Sequence, residues 1–242
     1  MYCKCPRPFY RCFFEILLKF VDDVICISSK QKHIFDSNNI EITDVIYNIM
    51  PFQKEKKKKK LRGKVVTFIG RITYGKGADI FVAAVKKLLK KRKGLTFELI
   101  GEGFLKNTLK RSLSKIENSS IHFVGQLSYT ETLNRIQKSI GIIVPSRWEE
   151  PFGRVALESL ACGVPVIVTN RGGLPEIVTE SVYGYVVEPQ VGPVVAAVEK
   201  LLKNQITLKK AISCAQKKLK KKFYREPISQ YKNLYMSYVA KD

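Results

Sequence analysis

From residue 65 onward the apolar positions of this chain fall into a regular rhythm. Short β-branched and aromatic runs alternate with stretches whose apolar residues recur every three or four positions. The short runs are Val65–Gly70, Leu95–Gly101, Ile121–Gly125, Gly141–Pro145, Pro165–Thr169 and Gly184–Glu188, and each predicts a strand. Between them, Ala78–Leu89, Leu105–Ile116, Ser128–Ser139 and Gly153–Ala161 predict helices. Pro175–Thr179 predicts a helical turn, and Val191 to Ala240 a helical tail. Strands alternating with helices of this length form βαβ units with parallel strands. Right-handed crossovers then predict an α/β fold, a doubly wound, Rossmann-like parallel sheet.

The first fifty residues follow a looser pattern. Residues 8–20 predict a short amphipathic helix. Asp23–Ser28 and Thr43–Asn48 predict strands, with a helix over Ser29–Asp36 capped by Ser28 or Ser29. The composition then changes sharply. Lys54–Lys64 (KEKKKKKLRGK) carries eight cations and almost nothing apolar, which predicts a solvated linker. The expected organisation is an N-terminal unit over 1–50, a linker over 51–63, the Rossmann-like domain over 64–222 and a terminal helix over 223–242.

Composition adds a charge problem. The 242 residues hold 43 Lys+Arg against 21 Asp+Glu, a formal net charge of +22. Such an excess attracts nucleic acid, an anionic membrane surface or phosphorylated ligands. The six cysteines (Cys3, Cys5, Cys12, Cys26, Cys162, Cys214) are scattered without a Cys-x-x-Cys pair, and only His33 and His122 are present. That argues against a zinc site and against a disulfide framework. It points to a reducing, cytoplasmic setting. No apolar run reaches membrane-span length, and the first twenty residues do not read as a signal peptide.

Ligands of doubly wound sheets bind outside the carboxyl ends of the strands. Three loops there carry chemistry. The first, Gly70-Arg-Ile-Thr-Tyr-Gly-Lys76-Gly, sets two cations among three glycines. Arg71 can face a pyrophosphate as a fork and Lys76 as a point charge; taken alone, the loop reads more readily as an ordinary strand–helix turn with surface cations. The second, Pro145 to Gly153, opens a helix whose first N–H groups, near Phe152–Val155, make an anion site. Glu150 precedes that helix and Glu158 lies two turns inside it, on one face and roughly 12 Å apart. They could grip two hydroxyl-bearing groups with an anion between them, or Glu158 could simply face solvent. The third loop holds Gly172-Gly173 before Pro175, and is either a close approach for a ligand or a plain turn.

The segments Glu150-Pro-Phe-Gly-Arg-Val-Ala-Leu-Glu158, Ser159 to Ile167 and Gly172-Gly-Leu-Pro-Glu-Ile-Val178, with Gly70-Arg71 and Lys76-Gly77 in register, resemble the donor half of family-4 glycosyltransferases. Those are retaining, metal-independent enzymes of the GT-B fold. The resemblance implies that Arg71 and Lys76 neutralise the donor diphosphate and that Glu150 holds donor-sugar hydroxyls. It implies that backbone at Phe152, Gly153, Arg154 and Val155 binds phosphates, that Glu158 holds the ribose, and that Val124 lies beside the nucleobase. Gly70, Gly172 and Gly173 line the same site. The nucleotide sugar would be donor substrate, with no cofactor or metal. Residues 10–50 resemble only the last pieces of the family's acceptor-binding N-terminal domain. Neither its glycine-rich loop nor its histidine has a counterpart, since His33 reads as a surface helix residue and His122 as a strand residue.

Three readings follow. The chain transfers a sugar to a lipid-linked glycan, polysaccharide or other acceptor. Or it is a non-catalytic or split-enzyme subunit that binds the donor and needs a partner chain. A polyanion- or nucleic-acid-binding protein is the remote third, because the lysines lack interleaved aromatics. The lysine excess fits peripheral attachment to an anionic inner membrane face, or composition alone.

Overall fold

The computed structural model describes residues 16–18, 20–50, 64–113, 120–178 and 182–240. The helix expected over residues 8–20 lies largely outside these, and the linker over 51–63 wholly so.

The chain runs β1 (Ile25–Cys26), α1 (Ser29–Asp36), β2 (Asp44–Val45), β3 (Lys64–Ile69), α2 (Ala78–Lys91), β4 (Leu95–Ile100), α3 (Lys106–Ser112) and β5 (Ile121–Gly125). It continues α4 (Tyr129–Lys138), β6 (Gly141–Val144), α5 (Arg154–Ala161), β7 (Val166–Thr169), α6 (Leu174–Ile177), β8 (Gly184–Val187) and α7 (Val191–Lys220). A π-helical turn, Lys221–Arg225, joins α7 to α8 (Glu226–Val239). The six expected strands of the repeating region all form, each within a residue of its predicted ends.

Strands β3 to β8 make one parallel sheet in the order β5-β4-β3-β6-β7-β8. The chain winds outward from β3 to β5, then returns to place β6 on the other side of β3. Helices cover both faces because the strands are apolar on both. Ile143 and Ile167 point into one core with α2 and the first half of α7. Their neighbours Ile142, Val144, Val166 and Val168 point into the other, with α4, α5 and the end of α7. This is the two-residue alternation of a strand buried on both sides. Helix α7, about 45 Å long at 1.5 Å per residue, contributes to both cores. Leu201 packs in the first, and Ile212 and Leu219 in the second.

The N-terminal segment is bound to this body. Strands β1 and β2 pair with each other in parallel. Ser28 caps α1 by accepting the Gln31 N–H. Glu176 on α6 extends the cap, its carboxylate accepting the N–H groups of Ser29 (3.0 Å) and Lys30 (2.8 Å) and the Tyr47 hydroxyl (3.1 Å). Tyr47 also meets Phe152 and Phe223 at ring-centroid distances of 5.9 and 5.4 Å. The Met50 N–H donates to the Phe223 carbonyl, and Tyr238 on α8 hydrogen-bonds Asp23.

Replacing Phe223 by Ala removes the ring shared by both segments and is expected to cost roughly 3–5 kcal/mol, read as a fall in the guanidinium midpoint. Gly77→Ala should destabilise the chain by roughly 2–4 kcal/mol. Gly77 has φ +70°, and a Cβ there would sit 1.9 Å from the Pro145 carbonyl oxygen. An unchanged melting curve for Gly77→Ala would contradict this loop geometry.

Candidate functional site

The sheet reverses its winding between β3 and β6, so the loops leaving their carboxyl ends diverge over a crevice. In doubly wound sheets this is where ligands bind. The structure brings the two richest predicted loops together here. The Lys76 ammonium donates to both oxygens of Glu150, at 2.6 and 2.8 Å. Glu150 is 7% exposed, and burying a carboxylate demands such partners. Ser146 donates a further bond to its Oε1 at 2.6 Å, and Thr169 holds the Ser146 carbonyl, also at 2.6 Å. The residues around Glu150 are tied on as well: the Gly173 N–H donates to its carbonyl (2.7 Å) and the Gly172 N–H to the Glu149 carboxylate (2.6 Å). Gly172, at φ +56°, comes so close that a Cβ would lie 2.0 Å from the Glu150 oxygen.

A second set of contacts locks the β3 and β6 loops. Arg147 grips Asp79 with both guanidinium nitrogens (2.7 and 2.8 Å), and the N–H groups of Arg147 and Trp148 share the Gly75 carbonyl. On the other side, Gly70 donates to Ile100, Gly101 to Gly125, and Ile72 to Glu102. Gly70, Gly101 and Val124-Gly125 thus stand side by side along the sheet's carboxyl edge. Arg71 is exposed, and its guanidinium meets no carboxylate among the described residues.

Helix α5 starts beside Glu150. None of the N–H groups of Phe152, Gly153, Arg154 and Val155 meets an acceptor among the described residues. They form the positive end of the helix dipole. The Phe152 side chain takes no part in that surface, since its ring is buried among Tyr47 and Phe223. Glu158 is 6% exposed, so the solvent-facing alternative falls. Burial pushes its carboxyl above the ordinary range, while Arg154, 3.5 Å away, pulls it back. Burial raises the nearby Tyr129 hydroxyl as well, and takes the Cys162 thiol up to about 11.

The predicted site residues therefore divide. Lys76, Glu150, Gly172 and Gly173 form one connected cluster, with Arg71, Gly70, Val124 and the start of α5 around it. Lys76, read as a phosphate ligand, is here the partner of Glu150. Ser146, Glu149, Arg147–Asp79 and Glu176 escaped sequence reasoning. Single polar residues carry no periodic signal, and apart from Ser146 with Glu150 their side chains' hydrogen-bond partners lie 23 or more positions away in the chain. His33 and His122 are both exposed, His122 on the edge strand β5.

Residues 50–218 match the family model of glycosyl transferases group 1. The chain belongs to that family. It is 34% identical over 178 residues to an uncharacterized glycosyltransferase of Methanocaldococcus jannaschii, covering 74% of this chain and 48% of that protein. It is 32% identical over 158 residues to a glycogen synthase of Mycobacterium tuberculosis, covering 64% of this chain and 38% of that one. The chain thus spans less than half the length of either. Among solved structures, Anabaena HepE in complex with UDP and glucose superposes with a TM-score of 0.79 at 22% identity, over 94% of this chain and 66% of that one. This last likeness establishes the GT-B type of fold.

Because the folded-state pKa of Glu158 is raised, its protonated form contributes stability that is full below about pH 4.5, the ordinary value. That contribution is lost as pH rises through the elevated folded value. Glu158→Gln is thus expected to match the parent at acid pH and to exceed its stability at pH 7. Parallel denaturant titrations check the sign, and a variant less stable at pH 7 would refute it.

Proposed function

We propose that the chain supplies the donor-binding half of a glycosyltransferase acting on a nucleotide-diphosphate sugar. The observation that carries this is the carboxyl edge over β3 and β6, where the Lys76–Glu150 pair stands beside the start of α5, with Arg71 exposed on the loop after β3 and Glu158 buried on α5. In the reaction, the bond between the anomeric carbon and the diphosphate oxygen breaks and its electrons go to that oxygen. The acceptor hydroxyl bonds to the same carbon and releases its proton. Charge therefore grows on the leaving diphosphate. Fixed cations and helix N–H groups suit that charge without reorganising. Arg71 and the N–H groups of Phe152–Val155 would hold the phosphates. Glu150, already oriented by Ser146 and Lys76, would meet the sugar hydroxyls, and Lys76 would bridge it to the phosphates. Glu158 would take the ribose and Val124 the base, with Gly172 and Gly173 keeping the loop close. Phosphate neutralisation by these groups makes a metal unnecessary in this reading, and transfer proceeds with retention, as in family 4.

The acceptor would be read by an N-terminal-type domain that the described residues do not form, on this polypeptide or on a partner chain. An anionic membrane surface is proposed as a further partner, prompted by the charge of +22. Nucleic acid is not proposed as one.

Thermal unfolding against UDP, GDP, ADP and their sugar conjugates tests the donor reading. One nucleotide at ~100 times its Kd should stabilise the chain by roughly 2.7 kcal/mol. Arg71→Ala and Glu158→Ala should abolish the shift. No shift with any nucleotide, in a chain that unfolds cooperatively, would overturn it.

A further inference from the structure

At the amino ends of the central strands, opposite the crevice, lies a half-open cavity of about 300 Å³ lined by Lys64, Arg92, Lys93, Leu95, Leu202 and Lys203. Four of the six are cations and none is acidic. They come from three elements: the first residue of β3, the turn after α2, and the middle of α7. Lys64 pairs in register with Leu95, the first residue of β4, so the two strands open the cavity together. None of the four cations pairs with a carboxylate among the described residues. Glu199, one turn before Lys203, is engaged by Lys91 at 3.9 Å.

Cations at the end of α2 could merely complement the helix dipole. That does not account for Lys64, on a strand, or Lys203, within a long helix. The floor is apolar, with Leu95 buried and Leu202 half-buried. One turn beyond Leu202, on the same side of α7, Ile206 is 72% exposed. The Lys54–Lys60 run precedes Lys64 in the chain.

We infer that this cavity and the α7 surface beside it form a docking site for the phosphate headgroups of an anionic bilayer, with Ile206 entering the interface. The inference rests on the proposal that the excess cations face a membrane, and not on the donor crevice. Several exposed cations around an apolar floor suit many weak headgroup contacts. Each lysine or arginine adds attraction at such a surface, and the interface accepts an aliphatic side chain among cations. A bound chain would turn the carboxyl edge of its sheet away from the bilayer, about 20 Å off by the length of a six-residue strand. The crevice would then open to soluble nucleotide sugars.

Co-sedimentation with phosphatidylcholine vesicles, with and without phosphatidic acid, tests this site. The full chain should bind only the anionic vesicles, more weakly as salt rises. A variant with Lys64→Gln, Arg92→Gln, Lys93→Gln and Lys203→Gln should bind at least tenfold more weakly, and Ile206→Ser should bind more weakly at unchanged charge. A control with Lys210→Gln, Lys217→Gln, Lys218→Gln and Lys232→Gln removes equal charge elsewhere and should keep most of the binding, all variants being compared at equal helicity. Equal losses in both fourfold variants would overturn the site while sparing the broader membrane reading. No binding by the parent chain would overturn both. Pyrophosphate binding, measured with Arg71→Ala and Lys76→Ala to silence the crevice and lost in the cavity variant, would replace the bilayer with a soluble phosphate if vesicle binding is absent.

Discussion

A buried carboxylate organises the carboxyl edge of this protein. Glu150 cannot remain charged out of water unless its oxygens are occupied. Lys76 reaches it from the loop after β3 and Ser146 from its own loop, with Thr169 at the end of β7 steadying Ser146. Three strands thus contribute to one network. Because a half-satisfied network is worse than none, the loops around Glu150 are held in a single arrangement. The close approaches of Gly77 and Gly172 are consequences of that arrangement, since any Cβ there would strike the backbone it packs on.

The same economy joins the N-terminal segment to the sheet. Glu176 accepts the first N–H groups of α1, which no helical carbonyl can reach. Its own helix α6 follows directly from the Gly172-Gly173 turn at Glu150. Phe152, two residues after Glu150, completes the ring cluster with Tyr47 and Phe223. The loop that shapes the crevice is therefore also the surface on which residues 24–50 and the π-helical turn are seated.

Charge is distributed with equal consequence. Around the crevice Lys76 pairs with Glu150 and Arg147 with Asp79 within 3 Å, and Arg154 with Glu158 at 3.5 Å, while Arg71 meets no carboxylate among the described residues. At the opposite end of the sheet the cations around the cavity have no counter-charge among the described residues. Two positive surfaces of different character thus sit at the two ends of the same strands. One is embedded in hydrogen bonds; the other is exposed and apolar-floored.

The sequence by itself determined the sheet, because burial on both faces leaves runs such as GIIV and PVIVT that no helix in this pattern would need. It singled out the loops after β3 and β6, which the structure joins through Lys76 and Glu150, because Arg, Lys and Glu at strand ends stand out from the apolar runs around them. It also carried the broader family, the group 1 glycosyl transferases, through motifs in register. Only the tertiary structure decided the partners. Lys76 and Glu150 are 74 positions apart, and Ser29 and Glu176 are 147 apart, and a local pattern holds no record of such distances. Whether Glu158 faced water or the interior was likewise open until α4 and α5 packed together. Burial is a property of the assembled surface, and a helix read alone has only one of the two surfaces that create it.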